Sequence, residues 1–253
     1  MTDKPDSSLT RLLAVLDLFD DERLTLTPEA IEAALQVSQP TAYRYVKVLT
    51  EAGLLQRQGA ATYGLGPRII MLDRLIRHSD PVLQHAVPYM QELVALTGLD
   101  CVSTGLYGDR MLDTHREVSG QPANLSYGRG RPRPLFLGAA PKVMLSVFAA
   151  AAQRRVLEQH ADEAQAAGLP TAWPAFRQHF ARIRKAGHYV SRGELEPALG
   201  AIAVPLVLAD GQVLGAISLV TKVERLALVD VAKLAQLLQR AAGEIIARIE
   251  PPA

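Results

Sequence analysis

Few residues in this chain have the types and the spacing that catalysis requires. Asp113 and His115 lie two positions apart in a predicted strand, where their side chains would share a face and could bind a metal ion. Because no third ligand is near them in the sequence, a solvent-facing or loosely paired couple is the better interpretation. Gly64 and Gly66 resemble part of a dinucleotide-binding loop, but Ile69 occupies the position of its third glycine. Motifs of phosphate-binding loops, zinc proteases and serine hydrolases are absent, so we expect no catalytic residues, no metal and no cofactor.

A group of polar side chains at helical spacing indicates a different chemistry, the reading of DNA. The segment 39–52 is predicted to form a helix, with Ser38 as its N-cap and Pro40 in its first turn. Side chains on and beside its outward ridge, with one arginine further along the chain, form the candidate DNA-binding set: Ser38, Gln39, Thr41, Tyr43, Arg44, Lys47 and Arg57. The three cations would position the helix on phosphates, and the glutamine, threonine and tyrosine would meet base edges in the major groove.

The alternative is that these residues form an ordinary solvated helix face, and three features argue against it. A capped helix that starts after Thr27 ends only two residues before Ser38, as in a helix-turn-helix. Two strand-like segments around Gly59 follow the candidate helix and predict a wing. Between residues 36 and 68 four cations stand against Glu51 alone, whereas the preceding helices carry six acidic residues. The basic side of this domain therefore coincides with the predicted helix and wing.

Two further helices frame this domain. The segment 9–20 places five apolar residues on one stripe with helical spacing, which predicts a first helix. The members of that stripe are Leu9, Leu12, Leu13, Leu16 and Phe19. Pro67 starts another helix, 67–79, which is too apolar to lie free in water and too short to form a domain. We expect a linker helix that packs against another surface, such as a second copy of itself.

The bulk composition is that of a folded soluble protein. Of the 253 residues, 49% are hydrophobic and 21% are charged, and the net charge of +1 gives no global basic field, so binding of a polyanion requires a local patch. The single cysteine, Cys101, excludes an internal disulfide and is expected in the core. No apolar run reaches the ~20 residues that span a bilayer, and the first residues lack a signal-peptide core, so we expect a cytoplasmic protein with no membrane contact.

The region after Asp80 mixes helices with antiparallel hairpins, which indicates an α+β sensor-like domain rather than a doubly wound sheet. The hairpin within it turns at Asp210-Gly211, a pair typical of a type I′ turn. The expected elements are, in order, a helix over 81–97, two strands around Gly108-Asp109, helices within 139–167 and over 174–186, a strand and loop over 187–197, a hairpin over 201–220 and a last helix over 226–249.

Several segments of the chain resemble, in the same order, those of one protein family. The segments "SLTRLLAVLDLF", "SQPTAYRYVKVLTEAGLL" and "YGLGPRIIML" look like the N-terminal domain of the IclR family of bacterial transcriptional regulators. The second half agrees, because "GRPRPLFLGAAPKVML" and "IRKAGHYVSRGELEPALGAIAVPLVLADGQVLGAISL" resemble the two characteristic stretches of that family's second domain. The resemblance covers nearly the whole chain.

The resemblance implies an α+β protein of three parts. These are an N-terminal winged helix-turn-helix DNA-binding domain over 1–66, a linker helix over 67–79 and a C-terminal GAF-like effector-binding domain over 80–253. Regulators of this family are homodimers or dimers of dimers (homotetramers). They bind double-stranded, palindromic operator DNA as repressors or activators, and they respond to a small molecule.

The recognition helix matches the family only in part. Thr41 and Arg44 stand where the family has a threonine and an arginine. The start of the helix, Ser38-Gln39-Pro40, departs from the family's residues at those positions. The operator preference of this protein is therefore expected to depend on that start and on Tyr43.

The family's effector pocket is formed by the segment before Lys142 and by the terminal hairpin. The matching positions here are Phe136, Gly138, Ala139, Ala140, Ala201, Ser218 and Val220. Several of them carry less polar or bulkier residues than the family does, so we expect an aromatic or otherwise hydrophobic organic acid as the effector. A nearby loop carries Arg129, Arg131 and Arg133, whose guanidinium groups could bind the carboxylate. For each of these arginines, a solvated position is the alternative.

These features together predict a DNA-binding transcriptional regulator that senses a small organic acid. Two alternatives stay open: an enzyme that carries an accessory winged helix, and an adaptor whose winged helix binds proteins instead of DNA. The absence of a catalytic motif argues against the enzyme. Real phosphate contacts predict that affinity for DNA falls steeply with salt, which would exclude the adaptor.

Overall fold

The protein folds into two compact units, Met1–Ser79 (unit 1) and Asp80–Ala253 (unit 2), each with a hydrophobic core of its own. The computed structural model describes residues 7–108, 110–120 and 128–250. Within these ranges no helix combines the length and the apolar character that crossing a membrane requires.

Unit 1 is helical apart from one small hairpin. Its elements are α1 (Ser8–Ala14), a 3-10 turn (Leu16–Leu18), α2 (Pro28–Leu35), α3 (Gln39–Glu51), β1 (Leu55–Arg57), β2 (Tyr63–Leu65) and α4 (Pro67–Ser79). Helix α2 begins as predicted, because the hydroxyl of Thr27 accepts a hydrogen bond of 3.2 Å from the backbone N–H of Ala30. Gln36 ends α2 in the left-handed conformation, with φ 52°, and the chain enters α3 within three residues. This geometry confirms the predicted helix-turn-helix.

Helix α3 occupies the predicted position, but the details of its ends differ. Ser38 is the N-cap, and its hydroxyl lies 3.0 Å from the hydroxyl of Thr41 instead of accepting a bond from a backbone N–H. At the other end Gly53 takes φ +72°, and the N–H of Leu54 donates to the carbonyl of Leu49 at 2.9 Å. This is the glycine stop that the sequence predicts.

The first helix is shorter than the sequence predicts. Helix α1 ends at Ala14, and the chain tightens into the 3-10 turn, so Val15 is buried while Leu9 and Leu13 remain 73% and 57% exposed. The predicted apolar stripe is wrong at these two leucines, because the core of unit 1 is met by Leu12, Leu16 and Phe19 and not by the side of α1 that carries Leu9 and Leu13. The core of unit 1 consists of Val15, Leu26, Ile31, Ala42, Tyr45, Val46, Leu49 and Leu55.

The predicted wing and linker helix are both present. Strands β1 and β2 are antiparallel, with Leu55 opposite Leu65. Tyr63 exchanges two backbone hydrogen bonds of 2.8 Å with Leu26, which attaches the wing to the segment before α2. Helix α4 covers the predicted range, and none of its residues is buried.

Unit 2 is built on a five-stranded antiparallel sheet. Its elements are α5 (Pro81–Thr97), β3 (Asp100–Tyr107), β4 (Arg110–Glu117), α6 (Ala139–Val147), α7 (Ala150–Gln159), α8 (Ala161–Ala166), α9 (Trp173–Ala186), β5 (Tyr189–Arg192), β6 (Leu199–Val207), β7 (Val213–Lys222), α10 (Val223–Leu226) and α11 (Val231–Ile249). The strand order is β4-β3-β7-β6-β5, with every neighbouring pair antiparallel. The α+β fold class is therefore confirmed.

Helices cover both faces of this sheet. Ala216 and Val220 of β7 pack with residues of α6 and α9, whereas Ile217 and Leu219 pack with residues of α5 and α11. We call these two sides the α6 face and the α5 face. Cys101 belongs to the α5 face and is fully buried, and this burial raises the pKa of its thiol.

The hairpin between β6 and β7 does not have the predicted type I′ turn. Among the described residues of this loop only Gly211 has a positive φ, of +88°, and a type I′ turn needs two such residues. The N–H of Leu208 donates to the carbonyl of Gln212 at 2.9 Å, so the loop contains three residues. A glycine at the end of a three-residue loop serves the second common hairpin geometry.

The last predicted helix is interrupted in the structure. Leu226 ends the short helix α10, and α11 begins after Asp230, whose carboxylate accepts a 3.1 Å hydrogen bond from the N–H of Lys233. The aspartate is a new N-cap, and it separates two helices that periodicity alone joins into one. Asp109, predicted to form the β3–β4 turn with Gly108, lies outside the described residues.

Candidate DNA-binding and effector-binding sites

Helix α3 has one buried face and one polar, accessible face. Ala42, Tyr45, Val46 and Leu49 enter the core of unit 1. On the opposite side Thr41 is half-buried, and the other candidate side chains are exposed; these are Ser38, Gln39, Tyr43, Arg44 and Lys47. The fold therefore presents these predicted residues along a single helix in unit 1.

The side chains of this ridge make weak contacts that DNA can replace. The hydroxyl of Tyr43 donates to a carboxylate oxygen of Glu29 at 3.3 Å, and this carboxylate raises the pKa of the tyrosine. Lys47 lies 3.9 Å from Glu51, and both side chains are mostly exposed. Such exposed pairs contribute about 0–1 kcal/mol, so the energy needed to redirect them is small.

Arg57, the candidate on the wing, is engaged by its own loop. Its Nε donates to the carbonyl of Gly59 at 2.9 Å, and a terminal nitrogen donates to the carbonyl of Ala60. The guanidinium thus closes the wing loop, which periodicity and charge did not predict. A guanidinium has five N–H donors, so these two bonds leave three others that could meet a phosphate.

Most residues predicted to bind the effector lie on the α6 face of unit 2. Five of them belong to one buried cluster, namely Phe136, Ala139, Ala140, Ala201 and Val220. Ser218 is also buried on β7, and its hydroxyl donates to the carbonyl of Val102 at 3.3 Å. Gly138 stands directly before α6 with φ +87°. The ring of Phe136 meets that of Phe176 edge to face, with centroids 6.2 Å apart, so this side chain also packs the core.

The three arginines of the basic loop occupy different environments. Residues 128–133 run beside β4, where the N–H of Gly130 donates to the carbonyl of Asp113 at 2.9 Å. Arg131 is exposed, and Arg129 is half-buried with its guanidinium on the carbonyl of Thr114. Arg133 is buried, and its terminal nitrogen lies 3.7 Å from where a Cβ on Gly138 would stand. Of the three arginines, Arg133 is therefore the one whose guanidinium approaches the predicted effector residues.

The expectation that Asp113 and His115 form a solvent-facing pair is wrong. A bulge interrupts the register between β3 and β4. As a result, Ser103 lies opposite His115, and the next residue of β3, Thr104, lies opposite Asp113. Successive residues of β3 point to opposite faces, so Asp113 and His115 do not share one. His115 binds Glu117 at 2.7 Å, and no group of three metal-ligating side chains occurs among the described residues.

Asp113 is 3% exposed and has one satisfied oxygen. Its Oδ1 accepts a 2.8 Å hydrogen bond from the hydroxyl of Thr104 and lies 3.5 Å from Nε of Arg133. Its Oδ2 is buried and has no hydrogen-bond partner in the part of the chain that the structure describes. Burial raises the pKa of this carboxyl, and Arg133 opposes the effect.

An ion pair between the buried Lys142 and the partly buried Glu194 of unit 2 was not predicted. Oε2 of Glu194 accepts hydrogen bonds from Nζ of Lys142 at 2.7 Å and from the N–H of Gly138 at 3.0 Å. The hydroxyl of Tyr189 donates to the other oxygen at 2.8 Å. Glu194 follows β5 in the segment "SRGELEP", and a carboxylate next to a glycine there was the only sequence signal. The first turn of α6 is thereby tied to the loop after β5.

A winged helix-turn-helix with an exposed polar recognition helix, on a chain with a separate α+β unit, defines the class of ligand-responsive transcriptional regulators. The family comparisons give the same class. Residues 8–59 match the IclR helix-turn-helix domain, and residues 75–247 match the C-terminal domain of bacterial IclR transcriptional regulators. The chain belongs to the IclR family.

Individual relatives agree with this assignment along most of the chain. The HTH-type transcriptional regulator XynR of Escherichia coli K12 is 25% identical over 236 residues, which cover 92% of this chain and 93% of that protein. The Pca regulon regulatory protein of Pseudomonas putida is 27% identical over 229 residues, 88% of this chain and 78% of the relative. These relatives are named as regulators, and nothing in them indicates a catalytic activity.

Solved structures show the same fold. An IclR regulator from Alicyclobacillus acidocaldarius superposes with a TM-score of 0.78 at 22% identity, and the match covers 96% of this chain and 98% of that one. An IclR homologue from Microbacterium hydrocarbonoxydans, solved in complex with 4-hydroxybenzoate, gives a TM-score of 0.79 at 22% identity, with 97% and 100% covered.

Proposed function

We propose that residues 1–66 bind double-stranded operator DNA, with α3 in the major groove and the wing beside it. The observation that carries this proposal is the polar ridge of α3, which is accessible along its length while the opposite face is buried. Arg44 and Lys47 would contact phosphates or base edges, and Gln39, Thr41 and Tyr43 would read bases. Ser38 and Arg57 complete the contact at the helix start and on the wing.

We further propose that the chain works as a homodimer or a dimer of dimers, in which α4 (67–79) contributes to the contact between copies. The support is the exposure of five large apolar residues on that one helix, Ile70, Met71, Leu72, Leu75 and Ile76. A soluble chain seldom leaves so many apolar side chains in water on a single element. Two copies would also present two reading helices to a palindromic operator.

The effector proposed for residues 80–253 is an aromatic or otherwise hydrophobic organic acid. The predicted binding residues lie on an α6 face that is apolar apart from a few buried polar groups, which is the usual composition of a small-molecule site. The 4-hydroxybenzoate complex of the Microbacterium hydrocarbonoxydans homologue supports this class of ligand. Arg133 is the arginine best placed to meet an acid, because it is buried beside Gly138.

Operator binding is tested by the substitution Arg44→Ala. We expect a loss of about 1–3 kcal/mol in binding free energy if the guanidinium meets a base, because a bidentate contact disappears. The measurement is fluorescence anisotropy with the DNA upstream of the protein's own gene, at two salt concentrations. Parental affinity should fall steeply with salt.

The matched control is Arg23→Ala, which removes an exposed arginine of unit 1 that precedes α2. We expect this variant to bind the same DNA with parental affinity. Equal affinities for the parent and Arg44→Ala would contradict the role given to α3.

A further inference from the structure

Oδ2 of Asp113 is a buried polar atom on the α6 face that has no hydrogen-bond partner in the part of the chain that the structure describes. The donors around this carboxylate, the hydroxyl of Thr104 and Nε of Arg133, both approach the other oxygen, Oδ1. A buried acceptor without a donor is costly, so such groups in proteins are rare and call for an explanation. A ligand whose hydrogen-bond donor meets this oxygen would explain why the described residues provide no donor for it.

The position of Asp113 connects this oxygen to the predicted effector residues. Asp113 is two residues from Met111 on β4, and Met111 belongs to the same buried cluster as Phe136 and Ala139. Arg133 spans the remaining gap, with Nε 3.5 Å from Asp113 and a terminal nitrogen beside Gly138. The unsatisfied oxygen therefore borders the apolar α6 face on which the effector is proposed to lie.

The charge balance of this face restricts the group that can meet Asp113. The cations of this face are already opposed by carboxylates, Arg133 by Asp113, Lys142 by Glu194 and the partly buried Arg116 by Asp100. A second carboxylate placed against Oδ2 would meet like charge in a medium of low dielectric constant, which is strongly unfavourable. A neutral hydroxyl donates a hydrogen bond to Oδ2 without adding charge.

We infer that Asp113 is a specificity-determining residue, which accepts a hydrogen bond from a hydroxyl group of the effector and selects hydroxylated aromatic acids over acids that lack the hydroxyl. This inference rests on the proposed effector class and adds the requirement for a donor. The carboxylate of such an acid points away from Oδ2, towards the terminal nitrogen of Arg133 beside Gly138, and the aromatic ring lies against the apolar side chains of the α6 face.

The test compares four probes, 3-hydroxybenzoate and 4-hydroxybenzoate against benzoate and 4-methoxybenzoate, by isothermal titration calorimetry on the full chain. At least one hydroxy acid should bind about ten-fold or more tightly than benzoate and the methyl ether, because only the hydroxyl satisfies Oδ2. In Asp113→Asn an amide N–H₂ takes the place of one acceptor, so the preference for hydroxyl over methoxy should disappear or invert.

Asp210→Asn is the matched control, since it makes the same chemical change at an exposed loop position. It should keep the parental preference. Near-equal affinities of the parent for hydroxy acids and benzoate would overturn the inference and leave an aromatic acid effector standing. Failure of the parent to bind any of the four probes at millimolar concentration would overturn the aromatic effector class and the inference with it. The parental comparison alone can overturn the inference, even if Asp113→Asn does not fold.

Discussion

Two carboxylates, the buried Asp113 and the partly buried Glu194, contribute polar groups to the α6 face of unit 2. Asp113 and Glu194 each oppose a buried cation, and Glu194 also accepts hydrogen bonds from Gly138 and Tyr189. Removing one partner of such a pair leaves the other charge buried without compensation, which typically destabilises a protein by about 3–5 kcal/mol. These two residues are therefore expected to contribute to the stability of unit 2.

Glu194→Ala should lower the free energy of unfolding of unit 2 by about 3 kcal/mol, because Lys142 stays buried and loses its counter-ion. Urea unfolding followed by tryptophan fluorescence measures this change selectively. The chain has a single tryptophan, Trp173, which stacks on Phe176 inside unit 2. The fluorescence therefore reports on this unit.

Glu158→Ala is the matched control for that measurement. Glu158 pairs with Arg154 at 3.0 Å on α7, but both side chains are more than half exposed. Exposed pairs of this kind contribute about 1 kcal/mol or less, so the unfolding midpoint should hardly move. An equal loss of unfolding free energy in the two variants would contradict the view that burial of Lys142 makes its pair with Glu194 more stabilising than an exposed pair.

At single positions the sequence predicted the exposure of side chains on α3 better than the burial of polar side chains in unit 2. The exposure of Gln39, Tyr43 and Lys47 follows from helical spacing, which depends only on local order along the chain. The burial of Asp113 depends on a bulge in β3–β4 and on packing by distant segments, which no local pattern encodes. The same limit applies to Glu194, whose partner Lys142 is on a different element far away in sequence.

Among the described elements, helix α4 exposes the largest number of large apolar side chains within one chain. Among its side chains Ile70 is 74% exposed and Leu75 is 56% exposed. If α4 packs against a second copy, the double substitution Ile70→Asp with Leu75→Asp should reduce the mass of the assembly, because a buried carboxylate is far more costly than an exposed one. Sedimentation velocity on the full chain measures that mass.

Arg74→Asp serves as the control on the same helix. It introduces an acid and the same change of net charge, −2, at an exposed polar position, so a general effect of charge would appear here as well. We expect it to retain the parental assembly. A parental mass for the double variant would exclude α4 from the contact between copies.

At the scale of elements, periodicity located most helices and strands but not their interruptions. The helix-turn-helix, the wing, α4, α5 and the hairpin β6–β7 appear where the sequence predicts them. The break after Ala14 and the new cap at Asp230 were missed, since the apolar spacing continues across both. The three-residue loop at Gly211 was missed because an Asp-Gly pair is compatible with more than one hairpin geometry.

For the whole molecule, a ligand-responsive regulator requires that effector and operator affect each other's affinity. Linkage makes this effect reciprocal, so the factor by which an acid changes operator affinity must equal the factor by which operator changes acid affinity. We expect a factor of about 5–150, the usual range for such coupling. Titrating operator with and without the hydroxybenzoate that binds most tightly, and then that acid with and without operator, gives both factors.

DNA of the same length and base composition without the operator sequence is the control for this coupling. It should leave the affinity for the acid almost unchanged, because non-specific DNA binds weakly at physiological salt. An acid that binds unit 2 tightly and leaves operator affinity unchanged would not be an effector of this protein.

The central position of β7 in the sheet has a consequence for how the protein is made. β7 is the last strand along the chain, yet it lies between β3 and β6, with Val220 opposite Asp100. Synthesis proceeds from the N-terminus, so β3 and β4 leave the ribosome long before the strand that must pair with them. Until residues 213–222 emerge, β3 remains an unpaired edge flanked by apolar side chains, a form prone to aggregation. A message truncated before Val213 would therefore yield a chain with a complete DNA-binding unit and a second domain that cannot close its sheet.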